Sequence, residues 1–263
     1  MVSSSVVAGW MSTLLEAAEN VRSSVRKTLI SRPGLEITSL KNLLDSEAQR
    51  AIHETLEQAG RPVNVISEEG DYSIGEEGPY LIVDPVDGTT NMARGIPFAA
   101  TSMALSETLR LSDAVAGIVK DLYTGEVYRA ERNRGAWRGG RRIAPGRSRQ
   151  INEALISIDV SKGTPIEGVE PLIRGAEHLR QLGSAALSLC HLASGLIDAH
   201  VDVRGKLRAT DVAAGLLILR EAGGVYVIDG SMEGDLDLSR GSTLKLVAAS
   251  GSWTLDEILK ILS

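Results

Sequence analysis

The stretch LIVDPVDGTTN, residues 81–91, ends an apolar run in two aspartates, Asp84 and Asp87, with Pro85 and Val86 between them. Gly88, Thr89, Thr90 and Asn91 follow directly. Pro-x-Asp-Gly is ordinary turn chemistry, because Pro presets φ and Asp and Gly tolerate turn conformations. A turn alone leaves three details unexplained. Asp84 directly ends a strand that reads as buried, and Asp87-Gly88-Thr89-Thr90 has the form of a helix start. The preceding strand, VNVIS, runs straight into Glu68 and Glu69. If the two strands lie side by side, Glu68, Asp84 and Asp87 converge at one sheet end, where α/β proteins place their sites.

Carboxylates gathered in this way call for a cation. Two charges about 5 Å apart repel by roughly 3 kcal/mol at an effective dielectric of 20. Either some of the acids protonate or cations fill the site. Hard oxygen ligands without His or Cys suit Mg²⁺, with Mn²⁺ the alternative, and the four histidines show no zinc spacing. Backbone N–H groups of Gly88 and Thr89 at a helix start offer an anion site, and a glycine lets a phosphate approach the backbone. Metal on one side and a helix start on the other describe a phosphate held for attack. Thr89 alone reads equally as a helix cap. Asp211, opening the apolar helix of ATDVAAGLLILREAGG, and Asp45, read as the start of a second helix in NLLDSEAQ, carry the same two readings. Each is a first-turn acid favoured by the helix dipole or a further acid of the site.

The rest of the chain frames this stretch. With 263 residues, 43% of them hydrophobic, it can bury a sizeable core. A net charge of -6 does not favour non-specific nucleic-acid binding. The single cysteine, Cys190, excludes an intrachain disulfide and reads as a small buried filler in ALSLCHLASG. The N-terminus reads as an amphipathic helix rather than a signal peptide. No apolar run reaches the ~18 residues of a membrane span, and a cytoplasmic protein is expected. Helices are predicted over residues 2–30 and 45–60, separated by the looser SRPGLEITSLKNLL. VNVIS and YLIVD read as strands joined by an acidic loop, and AATSMALSE, DAVAGIVKD and GEVYRAER as an antiparallel meander. Beyond residue 150 strands and helices alternate: ALISIDV, a helical IEGVEPLIRGAEHL, helical SAALSLCHLASG, LIDAHVDV, helical DVAAGLLILREAGG, VYVID, LKLVAAS, and a closing helix in SWTLDEILKIL. An α/β (α+β layered) chain follows, with an antiparallel-rich N-terminal half over residues 1–150 and an α/β half over 151–263. The first carries most of the candidate ligands and the second completes the site.

From about residue 36 to 250 the chain resembles the inositol monophosphatase superfamily of metal-dependent sugar phosphatases. VDPVDGTTN resembles its Asp-Pro-x-Asp-Gly-Thr signature, SEEG its Glu-Glu pair, and ATDVAAG…EAGG its C-terminal motif, with Thr210 where the family usually has Trp. VDVRGKLRATD more nearly resembles the archaeal branch, whose members often hydrolyse both fructose 1,6-bisphosphate and inositol monophosphate. The resemblance implies an αβαβα sandwich and a homodimer. It implies two or three Mg²⁺ held by Glu68, Asp84, Asp87, Asp211 and the Val86 carbonyl. Asp45 and Thr89, with Glu69 nearby, would orient or deprotonate the attacking water. Asp87, Gly88 and Thr89 would touch the substrate phosphate. A metal-activated water would attack the phosphorus directly, with no phosphoenzyme. The same resemblance points to Arg180, Ala185 and Arg204 as substrate contacts, with Asp202 facing a sugar hydroxyl; both arginines read equally as solvated surface residues. The expected partner is a small phosphorylated sugar or polyol. Two other readings stay open. One is a phosphatase of the same fold acting on 3′-phosphoadenosine 5′-phosphate or NADP. The other, resting on the arginine-rich RAERNRGAWRGGRRIAPGRSR and Trp137, is a non-catalytic RNA-binding or regulatory protein.

Overall fold

The computed structural model describes residues 4–162, 166–232 and 234–262; positions 2 and 3 of the predicted first helix lie outside them. Two helices open the chain, α1 (Ser4–Ser31) and α2 (Ile37–Ala59). The strands β1 (Val63–Ser67), β2 (Tyr72–Ile74) and β3 (Tyr80–Asp87) follow, then one helical turn, α3 (Thr89–Ala93). Next come β4 (Ala100–Ser106), β5 (Ala114–Asp121), β6 (Val127–Glu131), β7 (Gly135–Arg138) and β8 (Arg141–Arg142). The remainder runs β9 (Leu155–Ile158), α4 (Glu170–Gly175), β10 (His178–Arg180), α5 (Ala185–Ala193), β11 (Ala199–Arg208), α6 (Ala209–Ala222), β12 (Val225–Ile228), β13 (Thr243–Ala249) and α7 (Ser252–Leu262).

The strands form an eight-stranded sheet, β2-β1-β3-β4-β5-β6-β7-β8, and a five-stranded sheet, β10-β9-β11-β13-β12. Near-continuous apolar strands such as YLIVD and AATSMALS predict burial on both faces. Along β3, Ile82 packs with α5 and α6 in one core, while Leu81 and Val83 pack with α1 and α2 in another. The first of these cores also takes Leu207, Leu244, Leu246 and Ala248 from the smaller sheet, so α5 and α6 lie between the two sheets. The outer face of the smaller sheet packs with α4 and α7. The layers run αβαβα, as expected. Gly215 permits the α5–α6 crossing: a Cβ there would lie 2.8 Å from Leu189 Cδ1.

Several local expectations change. Helix α2 begins at Ile37, not near Asp45, because the Glu36 carboxylate accepts the N–H groups of Thr38 and Ser39 at 2.9 Å each. Asp45 therefore stands inside the helix, not at its cap. The acidic loop contains β2, paired antiparallel to β1. The helix expected over residues 166–179 spans only Glu170–Gly175 and gives way to β10, parallel to β9. Strand β11 carries on beyond LIDAHVDV through Arg208, with a break in register between Asp202 and Leu207. Cys190 is fully buried, as a filler should be.

Candidate active site

Strands β1 and β3 do lie side by side, in parallel, with Ser67 opposite Val83. The Glu68 N–H donates to Val83 O at 3.3 Å, so Glu68, just past the end of β1, lies beside Asp84 of β3. Asp84 pairs with Ser102 across the sheet, whereas Asp87 pairs with Ala100: three residues advance on β3 against two on β4. This bulge matters, because strand alternation alone would send residues i and i+3 to opposite faces. Pro85, which has no N–H to give to the ladder, sits within the bulge. The Asp84 carboxylate caps its own turn, with Oδ1 accepting the Val86 N–H at 3.0 Å.

The third acid comes from the layer between the sheets. Asp211 occupies the first turn of α6 and accepts the Arg208 N–H at 3.1 Å, so it caps the helix and faces the site at once. Glu68, Asp84 and Asp211 each bring an oxygen within 4.8 Å of the other two. Burial and then the neighbouring Asp87, Asp211 and Glu68 push Asp84 well above the usual carboxylate range. Its Oδ2 is buried and lacks a hydrogen-bond partner among the described residues. A buried, unpartnered carboxylate oxygen is costly. With an all-oxygen donor set around it, it fits a hard divalent cation.

Asp87 is held from another direction. Its Oδ2 accepts the Ser184 hydroxyl at 2.6 Å and the Ala186 N–H at 2.7 Å, both at the start of α5. Burial and Asp211 raise Asp87 to about 7 against these two bonds and Arg208. Gly88 follows at φ 93°, and a Cβ there would meet Phe98 O at 2.9 Å, so both conformation and space require glycine. The Thr89 hydroxyl lies 2.8 Å from both Asp45 Oδ1 and Val86 O. Burial lifts Asp45 to about 6, with the Thr89 bond opposing and Glu69 and Glu68 adding to the rise.

These groups line a cavity of about 470 Å³. Ala185, Asp202 and Arg204 line it too. Asp202 is buried, and Arg204 donates to it from Nε at 2.9 Å and from Nη2 at 2.5 Å. Arg204 also reaches Asp159 at 3.0 Å and Ser161 Oγ at 2.8 Å. Its guanidinium is thus committed within the protein. Arg180 is exposed at the end of β10, bonds the Leu179 carbonyl and does not line the cavity. Glu69 is exposed and lies outside the lining; partial desolvation of its carboxylate and then Glu68 raise it. Sequence reasoning missed Ser184, Lys41 and Arg208 as site residues. Ser184 carried a signal, being a cap residue before an apolar helix; Arg208 carried none beyond its place three residues before Asp211. Elsewhere, the arginine-rich hairpin is largely paired: Arg132 with Glu107, Arg134 with Glu131, Arg138 with Glu126, and Arg129 stacked on Trp137.

Comparison with known proteins agrees with the geometry. The profile of the inositol monophosphatase family matches residues 3–259. The fructose-1,6-bisphosphatase/inositol-1-monophosphatase of Methanothermobacter thermautotrophicus is 33% identical over 96% of both chains. The bifunctional NADP phosphatase/NAD kinase of Methanococcus maripaludis is 28% identical over 90% of this chain and 47% of its own length. Among solved structures, the extragenic suppressor protein suhB of Bartonella henselae superposes with a TM-score of 0.80 at 26% identity, covering 96% of this chain and 98% of that one. The chain is a phosphatase of the inositol monophosphatase family.

Proposed function

We propose that the chain is a Mg²⁺-dependent phosphomonoesterase acting on small sugar or polyol phosphates, fructose 1,6-bisphosphate or inositol 1-phosphate among them. The observation that carries this reading is the grouping of Glu68, Asp84 and Asp211, with Asp84 Oδ2 buried and unpartnered among the described residues, at the wall of a cavity of sugar-phosphate size. Asp87 and the Val86 carbonyl would complete the donor set for two or three ions, Mg²⁺ or in its place Mn²⁺. Bound Mg²⁺ would offset phosphate charge and acidify the attacking water.

The chain's own residues divide the remaining work. Thr89 and Asp45 form a proton path: with Asp45 near 6, its carboxylate is mostly ionised at neutral pH and still basic enough to accept a proton through the Thr89 hydroxyl. Gly88 lets the phosphate approach the backbone closely. Ser184 and the Ala186 N–H hold one oxygen of Asp87, which would leave the other for a cation. Farther along the cavity, the carboxylates of Asp159 and Asp202 have already claimed Arg204. That supports recognition of sugar hydroxyls over a second phosphate at this end. The homodimer implied by the family resemblance and the cytoplasmic location expected from the sequence belong to the same proposal, and light scattering of the purified chain tests the dimer.

Steady-state phosphate release from inositol 1-phosphate, fructose 1,6-bisphosphate, 3′-phosphoadenosine 5′-phosphate and NADP, with and without Mg²⁺, decides among substrates. Asp87→Asn is expected to lose most turnover while remaining folded by circular dichroism. Near-normal Mg²⁺-dependent release by that variant would sink the reading.

A further inference from the structure

Glu68 and Asp211 already share one cation, and it belongs to the chain. The Arg208 guanidinium pairs through Nη1 with Glu68 Oε1, and its Nε donates to both oxygens of Asp211 at 3.0 and 3.3 Å. Arg208 ends β11 immediately before α6, so a short tether holds it over the acids. Its side chain is 40% exposed, against 7% for the enclosed Arg204, so it has open space into which it can withdraw. The fork satisfies two carboxylates and leaves the third: the buried Asp84 Oδ2 receives no donor from it. A divalent cation has no such limit, since it takes oxygen ligands from all three acids at once.

We propose that Arg208 is an internal counter-cation that competes with the divalent metal for Glu68 and Asp211, so that metal loading displaces its guanidinium from them. This inference rests on the metal reading above. The physical basis is that an oxygen lone pair directed at an N–H cannot also coordinate an ion. Before loading, Arg208 keeps Glu68 and Asp211 close together despite their repulsion. At loading, its release sets the affinity of the site.

The test is calorimetric titration of the metal-free full chain with Mg²⁺ and with Mn²⁺, alongside thermal melts in EDTA and in Mg²⁺. Arg208→Gln is expected to bind both ions about 10-fold tighter, within the usual range of coupling between competing ligands. It should also melt lower than wild type in EDTA and gain more from Mg²⁺. Arg240→Gln is the control: Arg240 donates to the Glu68 backbone carbonyl at 3.3 Å rather than to its carboxylate, and carries the same charge. An equal gain in Arg208→Gln and Arg240→Gln would mean general electrostatics and would overturn the proposal. Unchanged or weaker metal binding by Arg208→Gln would overturn it as well. If Arg208→Gln does not fold, Arg208→Lys, which cannot fork, should bind metal more tightly than wild type, and wild-type affinity in that variant refutes the competition. Absence of any cation binding by wild type would reject the metal reading itself; binding by wild type with no change in the variants rejects only the role of Arg208.

Discussion

The Thr89 hydroxyl stands 2.8 Å from Asp45 Oδ1, joining the turn after β3 to a helix 44 residues earlier in the chain. The hydroxyl has one hydrogen and lies equally close to Val86 O, so Asp45 competes for it with the backbone. If this pair moves the proton, Thr89→Ala and Asp45→Asn should each lower kcat by about 10²–10⁴-fold with little change in KM. Thr89→Ser keeps the hydroxyl and should keep most of the rate. The double variant should be no worse than the poorer single one, since the two residues act as a unit. Multiplicative losses in a kinetic double-mutant cycle would show that they act separately.

Ser184 has two duties: it caps α5 by accepting the Leu187 N–H at 3.3 Å and donates to Asp87. Ser184→Ala should therefore cost about 1–3 kcal/mol in urea unfolding, from the lost cap and from a carboxylate deprived of a donor. The bond holds Asp87 down, so its loss raises Asp87 above about 7. Mg²⁺ binding by the variant should weaken near neutral pH and recover as pH rises. A uniform deficit from pH 6.5 to 8.5 would contradict the assigned bond.

Asp84 links stability to metal. In EDTA at pH 8, Asp84→Asn is expected to be more stable than wild type by roughly 1–3 kcal/mol, because it removes a buried acid, crowded by other carboxylates, whose Oδ2 receives no donor among the described residues. Mg²⁺ at 100 times its Kd adds about 2.7 kcal/mol to wild type through linkage alone. The variant should gain little, so Mg²⁺ should reverse the ranking of the two melting temperatures. If wild type is the more stable in both buffers, the cluster is not strained by its own charge.

His200 supplies an acid-sensitive element apart from the carboxylate cluster. It is buried, its Nδ1 lies 3.2 Å from Ser157 Oγ, and burial lowers it to about 4, with Asp202 and Asp159 opposing. The unfolded histidine binds its proton near pH 6.5, the native one only near 4. Between those values the unfolded chain holds more protons, so the contribution of His200 to stability is full above pH 6.5 and falls as pH drops toward 4. The whole effect is at most about 3 kcal/mol. Denaturant titrations at pH 7, 5.5 and 4.5 should show a shallower acid loss in His200→Gln than in wild type. Parallel curves would place the acid sensitivity elsewhere.

What the sequence determined by itself was local. The αβαβα layers could be anticipated through family resemblance, and most strands and helices through periodicity. The residues from Asp84 to Thr89 were readable as a site because their chemistry is written in one contiguous run. The conditional meeting of Glu68 with Asp84 needed only parallel pairing of adjacent strands, which holds. The tertiary structure decided the rest. A bulge in β3, invisible in the residue pattern, brings Asp84 and Asp87 to one side. Packing of α5 and α6 between the sheets sets Ser184 against Asp87, 97 residues away, and Arg208 against Glu68, 140 residues away. The layer packing leaves Arg180 outside the cavity, and the pairing of β11 with β9 brings Arg204 to Asp159. A side-chain pattern specifies which way a residue points on its own element; the few ångströms separating residues on different elements depend on how whole layers pack.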